Sequence, residues 1–153
     1  MKAIFKIINR QKKSIYHFLI MIFSVLCTFA VFANPVVQNI QYGNITIQNN
    51  SNQTTIHQTS QKGIINWNSF NINSNQQVHF QQPSNGITLN RINAQNGVSE
   101  IYGRLTATGE IILINPAGIY FGPNAFVNVS SLIASTADLT NKNFINSNYT
   151  FED

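Results

Sequence analysis

Short apolar runs separated by Pro, Gly and Asn recur along the chain from Gly63 onward, and they are densest between residues 109 and 136. Runs this short, rich in β-branched and aromatic residues, predict strands rather than helices. Between the runs of residues 109–136 there is no hairpin dipeptide such as Asn-Gly, so this segment favours strands that coil in one direction over strands that meander. The four densest runs are residues 111–114, 119–121, 126–129 and 132–134.

The earlier runs predict strands with a corner between them. Ile65 and Trp67 stand at odd positions and would face one side of a strand, whereas Phe70 and Ile72 stand at even positions after two intervening polar residues. A parity change of this kind predicts a bulge or corner that returns the next side chain to the interior. His79 lies between two apolar residues of the following strand and is therefore predicted to face solvent.

The spacing of the strands predicts a β-solenoid with distinct ends. Residues 63–137 have room for roughly three to four coils of about 20 residues, a typical solenoid repeat. Residues 34–62 are polar, with Ile45 and Ile47 alternating as one short strand, and are expected to cap the first coil. Residues 138–153 are expected to be the start of a further coil or a truncated tail. Because the open ends of a solenoid need caps, we expect this chain to be a fragment of a longer protein and to associate with other copies when purified.

The first 33 residues have the layout of a secretory signal peptide. A basic segment precedes the mostly apolar residues 15–32, and small residues precede Asn34. We predict cleavage between Ala33 and Asn34, removal of residues 1–33, and export across the inner membrane by the general secretory translocon. A membrane anchor is the alternative, because the apolar stretch approaches a spanning length. The cleavage site, and the absence of basic residues between the apolar stretch and Lys62, favour the signal peptide.

Removing the signal peptide changes the charge of the protein. Of the nine Lys and Arg, five precede Asn34, which leaves four against five Asp and Glu, a net charge of −1. The sequence pI of about 9.4 therefore reflects the targeting segment, and no basic surface for nucleic acid remains. The only cysteine, Cys27, is also removed. A chain without disulfides can cross a narrow pore unfolded.

The mature sequence is rich in side-chain amides, with 22 Asn and 11 Gln after Ala33. This composition is compatible with disorder, with cross-β aggregation, or with a solenoid whose amides stack from coil to coil. The steady recurrence of apolar residues favours ordered β structure. The irregular strand spacing and the four prolines disfavour an amyloid-like matrix protein.

Catalysis has no candidate residues in this sequence. His57 and His79 are the only histidines of the mature chain, and the acidic residues are scattered apart from Glu152-Asp153. The sequence contains no nucleophile elbow, no glycine-rich phosphate loop and no metal-ligand cluster. We therefore expect a protein that is not an enzyme and that uses no metal or cofactor.

Four segments carry a family resemblance: GIINWNSFNIN, VHFQQPS, ITLNRI and EIYGRLTATGEIILINPAGIYFGPNAFVNVSSLIAST. Over about residues 36–137 they resemble the N-terminal secretion domain of the filamentous haemagglutinin family, the large exoproteins of two-partner secretion in Gram-negative bacteria. The resemblance implies an all-β, right-handed parallel β-helix with an N-terminal cap. It implies a partner, an outer-membrane β-barrel transporter with periplasmic polypeptide-transport-associated domains. It also implies a cell-surface or extracellular product whose adhesin, cytolysin or haem-acquisition activity lies downstream.

One motif of that family aligns with Asn115, Pro116, Ala117 and Gly118, where the family has Asn-Pro-Asn-Gly. Alanine at the third position is compatible with a type I turn and disfavours type II, which requires positive φ there. The resemblance implies that this turn contributes to recognition by the transporter. The alternative is that it only ends one strand and begins the next. A second family motif, Asn-Pro-Asn-Leu, falls near residues 82–85 and retains only its proline.

A second class of function is binding at the surface. An Asn- and aromatic-rich β-helix can attach to glycans or to a host surface receptor, and the candidate aromatic residues are Trp67, Tyr102 and Tyr120. Core packing or a solvated ladder is the commoner role of such residues. The sequence identifies neither the transporter nor the host target.

Overall fold

The computed structural model describes residues 34–152, so the predicted signal peptide and Ala33 lie outside the described residues. Within this range the chain forms twelve short strands, a 3₁₀ turn and one short helix. No helix of residues 34–152 has the length and hydrophobicity needed to cross a membrane. The elements are β1 (Val36–Tyr42), β2 (Ile45–Asn49), β3 (Gln53–Gln58), β4 (Lys62–Ser69), β5 (Gln77–Gln81), β6 (Ile87–Ile92), the 3₁₀ turn (Ala94–Asn96), β7 (Ser99–Ile101), β8 (Arg104–Ala107), β9 (Glu110–Ile114), β10 (Ile119–Phe121), β11 (Phe126–Asn128), β12 (Ser131–Ser135) and α1 (Asn141–Ile145).

The strands form three sheets that wind around a common core. Sheet A has the order β1-β4-β6-β9-β12, sheet B has the order β11-β8-β5-β3-β2, and sheet C pairs β7 with β10. The chain passes from sheet B to sheet A to sheet C, and the strands from β3 onward pair in parallel with those of the next coil. This is a parallel β-solenoid of about four coils, so the predicted fold class is confirmed.

Inward-facing side chains of the sheets form one apolar core. Ile65, Trp67, Phe70 and Ile72 all belong to it, so the predicted parity change does return Phe70 to the interior. The residues on either side of His79 are buried in the same core, and His79 lies on the outer side of β5, as predicted. Burial of this kind contributes about 25 cal/mol per Å² of apolar area.

Buried polar side chains occupy the corner between sheets B and A. Thr88 Oγ1 donates to Gln58 Oε1 at 2.7 Å, and Gln82 Nε2 donates to Thr88 Oγ1 at 2.9 Å. Each amide also donates to a carbonyl of the next coil: Gln58 Nε2 to Ile87 O at 3.3 Å and Gln82 Nε2 to Glu110 O at 3.0 Å. A buried polar group left unpaired costs about 1–3 kcal/mol. The corner therefore favours the register in which all of these groups are paired.

The outer face of sheet B carries the side-chain ladder that the amide-rich composition suggested. Gln77 Nε2 donates to Gln53 Oε1 at 2.8 Å across a separation of 24 residues, and the two residues are paired in register. One coil is therefore 24 residues long at this position, somewhat longer than the sequence estimate. His79 Nδ1 lies 2.8 Å from Thr106 Oγ1 of the next coil and extends the ladder.

The first two strands cover the N-terminal end of the coil. β2 pairs antiparallel with β3, and β1 pairs antiparallel with β4 through several register shifts. Ile45 is buried in the core, and Ile47 packs against it. β3 already pairs in parallel with β5. Thus the covering strands end at Asn49 and the first coil begins at Gln53, within the segment 34–62 that the sequence assigns to a cap.

The last coil presents its ladder edges at the opposite end. β11 and β12 are the outermost strands of sheets B and A in the described part of the chain. Phe126 and Ile133 are 42% and 37% exposed there, and Leu132 is only partly buried against the core. Unpaired backbone groups beside exposed apolar side chains form an edge on which another strand can add.

Residues 138–152 cross the outer face of sheet A, and we call this segment the clasp. It does not open a further coil along the sheet ladder. Leu139 and Phe144 are fully buried, and hydrogen bonds of 2.9 and 2.8 Å between the backbones of Asp138 and Glu152 join its ends. The clasp packs on outward-facing side chains from three coils: Ile64, Ile87, Leu89, Ile112 and Ile114.

Two of the four Lys and Arg among residues 34–152 hold the clasp in place. Lys62 Nζ donates to two carbonyls at the C-terminal end of α1, at 2.9 and 2.7 Å, and to Ser147 Oγ at 2.7 Å. Arg91 Nε donates to Asp138 Oδ1 at 2.7 Å, and its Nη2 donates to Leu139 O at 2.5 Å. Coils of a solenoid contact only their neighbours. The clasp adds contacts between one segment and coils that are not its neighbours along the chain.

Replacing Phe144 with alanine is expected to lower the free energy of unfolding by about 3 kcal/mol, because a fully buried aromatic ring loses its packing against several coils. Urea denaturation followed by circular dichroism measures the change. Lys142→Ala alters an exposed residue of the same helix and is the matched control, expected to stay within about 0.5 kcal/mol of the parent. Equal stability of the two variants would show that the clasp is undocked in solution.

Candidate functional site

Residues 115–118 form a tight turn between β9 of sheet A and β10 of sheet C. Gly118 N donates to Asn115 O at 2.8 Å, the bond that closes a four-residue β-turn. Ala117 does not adopt positive φ, so the turn is not type II and alanine fits its third position, as predicted. Gly118 has a φ of 111°, a conformation that glycine adopts without steric cost.

Asn115 is the best-connected residue of this turn, and it is fully buried. Its Nδ2 donates to Gly97 O and to Ser99 Oγ, both at 3.0 Å, and its Oδ1 accepts from Ala117 N at 2.9 Å. Its backbone N donates to Ser135 O of the following coil at 3.1 Å. One side chain and its backbone thus link the second, third and fourth coils at a corner of the solenoid.

The other residues of the turn differ from Asn115 in exposure. Pro116 and Ala117 are exposed, and Gly118 is half-buried. A partner that contacts the folded domain at this corner meets the proline ring and the alanine methyl group. The asparagine amide, which is the most distinctive group of the motif, is accessible only before this corner has formed.

The second motif region forms a different corner. Gly86 N donates to Pro83 O at 2.8 Å, and Asn85 has a φ of 58° within that turn. Gln82, at the first motif position, is 8% exposed and belongs to the buried corner network described above. This turn joins β5 of sheet B to β6 of sheet A, whereas residues 115–118 join sheets A and C. The fold therefore places the two motif regions at separate corners.

Trp67, one of the candidate aromatic residues for surface binding, has the commoner role of core packing. Its side chain is fully buried, its Nε1 donates to Asn90 Oδ1 at 3.0 Å, and its ring lies 5.2 Å from the ring of Phe70. Trp67 shares the parity of Ile65, which faces the core. The indole therefore stabilises the first two coils.

The other two candidate aromatic residues, Tyr102 and Tyr120, are 37% and 48% exposed. Their ring centroids lie 5.8 Å apart with planes inclined by 63°, and Glu100 is the in-register neighbour of Tyr120 in sheet C. Partial burial, followed by the negative charge of Glu100, raises the pKa of the Tyr102 hydroxyl above its ordinary value of 10.0. Like any tyrosine hydroxyl at neutral pH, it can donate a hydrogen bond.

Within residues 34–152, no three His, Cys, Asp or Glu side chains lie close enough together to hold a metal ion. The two histidines pair with neighbouring ladder residues: His79 with Thr106, and His57 with Gln81 at 3.3 Å. The polar side chains on this part of the surface serve the stacking of coils.

Several residues that organise the fold are not marked in the sequence pattern. Gln53 and Gln77 share a 24-residue separation with Gln58 and Gln82, so a search for that period finds both the ladder and the buried corner. Lys62 has no comparable local signal, because its partners lie 82 to 85 positions further along the chain.

A coil covered at its N-terminal end, held by buried amides and presenting open ladder edges at its other end, defines a capped β-solenoid module. A family model described as the TPS secretion domain matches residues 33–152. The chain belongs to this family, the secretion domains of two-partner secretion exoproteins, which are secreted to the cell surface or the extracellular space. The family is one of secretion domains and not a family of enzymes.

Known relatives and a solved structure agree with this assignment. Two Haemophilus influenzae proteins named Heme/hemopexin-binding protein are 37% identical over 106 residues and 36% identical over 119 residues. These matches include 69% and 74% of this chain but only 12% and 13% of the relatives. The crystal structure of the HMW1 secretion domain from Haemophilus influenzae has a TM-score of 0.73 and 37% identity, covering 78% of this chain and 32% of that chain.

Replacing Asn115 with alanine is expected to lower the free energy of unfolding by about 2 kcal/mol, since the substitution removes the side-chain partner of Gly97 O and of the buried Ser99 in the second coil and of Ala117 N in the turn. Thermal and urea denaturation measure the loss. Ala117→Asn restores the family motif at an exposed position and is the matched control, expected to change stability by less than about 0.5 kcal/mol. A neutral Asn115→Ala variant would contradict a structural role for the amide.

Proposed function

We propose that this chain is the N-terminal secretion domain of a large exported, adhesin-like exoprotein. It is delivered to the periplasm by its signal peptide and the general secretory translocon. There it is recognised by a cognate outer-membrane β-barrel transporter with periplasmic polypeptide-transport-associated domains. It crosses the outer membrane unfolded and then forms the β-solenoid at the cell surface. The effector activity, adhesion or haem acquisition, belongs to sequence that follows the secretion domain.

The difference between the two ends of the coil is the observation that carries this proposal. Antiparallel β1 and β2 cover the ladder edges of the first coil, whereas β11 and β12 present parallel edges at the other end. A domain that begins a longer solenoid needs this asymmetry, because growth must be blocked at one end and permitted at the other.

Burial of Asn115 supports recognition of the unfolded chain. The transporter cannot contact the Asn115 amide once the corner has formed. Extended segments that later become strands are suited to add to a sheet edge of the periplasmic domains, since main-chain hydrogen bonds provide affinity and alternate side chains provide selectivity. The same segments then pair with each other outside the cell.

Folding outside the cell supplies a driving force for export. The periplasm provides no ATP, so another source of free energy must favour forward movement. Each coil that forms buries apolar side chains, at about 25 cal/mol per Å², and pairs its backbone with the preceding coil. Backward movement would require that coil to unfold.

The role of the turn is tested by comparing variants in cells that produce the chain together with its transporter. The double variant Asn115→Ala/Pro116→Ala is expected to reduce the extracellular amount at least tenfold, with accumulation in the periplasm, because the transporter loses a recognition element. Immunoblots of cell fractions measure the distribution. Leu105→Ala creates a core cavity without touching the turn and serves as the stability-matched control.

The outcomes of this comparison separate the alternatives. A much larger secretion defect in the double variant than in Leu105→Ala supports direct recognition. Equal defects would assign residues 115–118 a structural role only. Secretion that continues without the transporter would contradict the proposed function itself.

A second candidate function, a glycan- or host-binding surface, is favoured by the exposed pair Tyr102 and Tyr120 beside Glu100. Aromatic faces and a protonated hydroxyl suit the packing and hydrogen bonding of a sugar ring. If this surface binds glycans, Tyr120→Ala is expected to abolish the signal of the purified chain on a glycan array. Tyr42→Ala, an exposed tyrosine on β1, is the control. The absence of any glycan signal from the parent chain would eliminate this candidate.

A further inference from the structure

The four Lys and Arg of the mature chain are not equivalent. Lys62 and Arg91 hold the clasp, and Lys142 lies on the exposed side of α1. Arg104 has no side-chain hydrogen bond and no carboxylate partner among residues 34–152. Its guanidinium lies over the ring of Phe126, 4.0 Å from the ring centroid. Stacking orients a planar guanidinium while leaving its N–H donors available.

Arg104 lines a hollow of about 250 Å³ on the side of sheet B. The other lining residues are Ser74 and five Asn or Gln residues between positions 52 and 77, and no acidic residue is present. The hollow therefore combines one cation that lacks an internal partner with neutral hydrogen-bonding groups. Its volume suits one sugar-sized ligand and is smaller than a typical site for a drug-sized molecule.

The walls of this hollow are fixed by hydrogen bonds within and between coils. Gln77 Nε2 donates to Gln53 Oε1 at 2.8 Å, and Gln53 Nε2 donates to Thr55 Oγ1 at 2.9 Å. Gln76 Oε1 accepts from a backbone N–H within its own loop at 3.1 Å, and Arg104 N donates to Gln76 O at 3.0 Å. A site whose groups are already oriented loses less conformational entropy when it binds.

We propose that this hollow binds a carboxylate-bearing sugar, a uronic acid unit of an acidic polysaccharide. The guanidinium of Arg104 pairs with the carboxylate in a bidentate manner, and the surrounding amides and the Ser74 hydroxyl bond to the sugar hydroxyls. The site lies on sheet B, whereas Tyr102 and Tyr120 lie at sheet C. It does not rest on the proposed secretion function.

The test is a titration of the purified chain with glucuronate, followed by NMR spectra of the arginine Nε–H and amide groups. Glucuronate is expected to shift the Arg104 Nε–H and the amides of the hollow. Glucose, acetate and inorganic phosphate are the comparison ligands, and each is expected to bind at least tenfold more weakly than glucuronate. Acetate or phosphate binding as strong as glucuronate would replace the sugar site with a simple anion site and overturn the proposal.

Three variants test the assignment to Arg104. Arg104→Gln is expected to weaken glucuronate binding at least tenfold, and Arg104→Lys by a smaller factor, because lysine keeps the charge without the bidentate geometry. Lys142→Gln makes the same change in net charge elsewhere and is expected to bind like the parent. Equal weakening by Lys142→Gln, or no response to glucuronate in the parent, would overturn the proposal. Secretion of Arg104→Gln is expected to be unchanged, so the result is independent of the secretion assay.

Discussion

Backbone hydrogen bonding between coils is the interaction on which the rest of this structure depends. From β3 onward, each strand pairs in parallel with the equivalent strand of the next coil, so every coil completes the bonds of its neighbour. A ladder of this kind has two ends with unpaired groups. At the first coil, β1 and β2 run antiparallel to the coil strands and cover their unpaired backbone groups. The register shifts of β1 make its own outer edge a poor template for a further strand.

A solenoid held only by neighbouring contacts gains stability coil by coil and can lose it in the same way. Two features of this domain oppose unfolding of one coil at a time. The buried network of Gln58, Gln82 and Thr88 ties adjacent coils at one corner through bonds that hold only in the native register. The clasp links Lys62 in the first coil and Arg91 in the second to residues that follow the fourth. Together they favour folding of the domain as one unit.

The sequence predicts the features that depend on local pattern. Alternation and Pro/Gly spacing gave the strands, the parity change before Phe70 and the turn at residues 115–118. The clasp could not be predicted, because an isolated apolar residue such as Phe144 in an Asn-rich segment acquires its role only from distant strands. Trp67 lies in the core because it shares the inward face of its strand with Ile65, and aromatic character alone does not mark a residue for surface binding. The burial of Asn115 could not be predicted from the sequence either, because it arises from contacts with the coils on both sides.

The position of Asn115 also constrains the order of events in the proposed export. The amide cannot be bound by a transporter while it donates to Gly97 and Ser99, because these bonds use the groups a partner would contact. Recognition through this residue must therefore precede folding of the second and third coils. In the proposed export, folding of these coils would bury the recognition element, so the domain would no longer compete for the transporter. Folding would then both stabilise the exported domain and end its interaction with the transporter, which would give the process a direction.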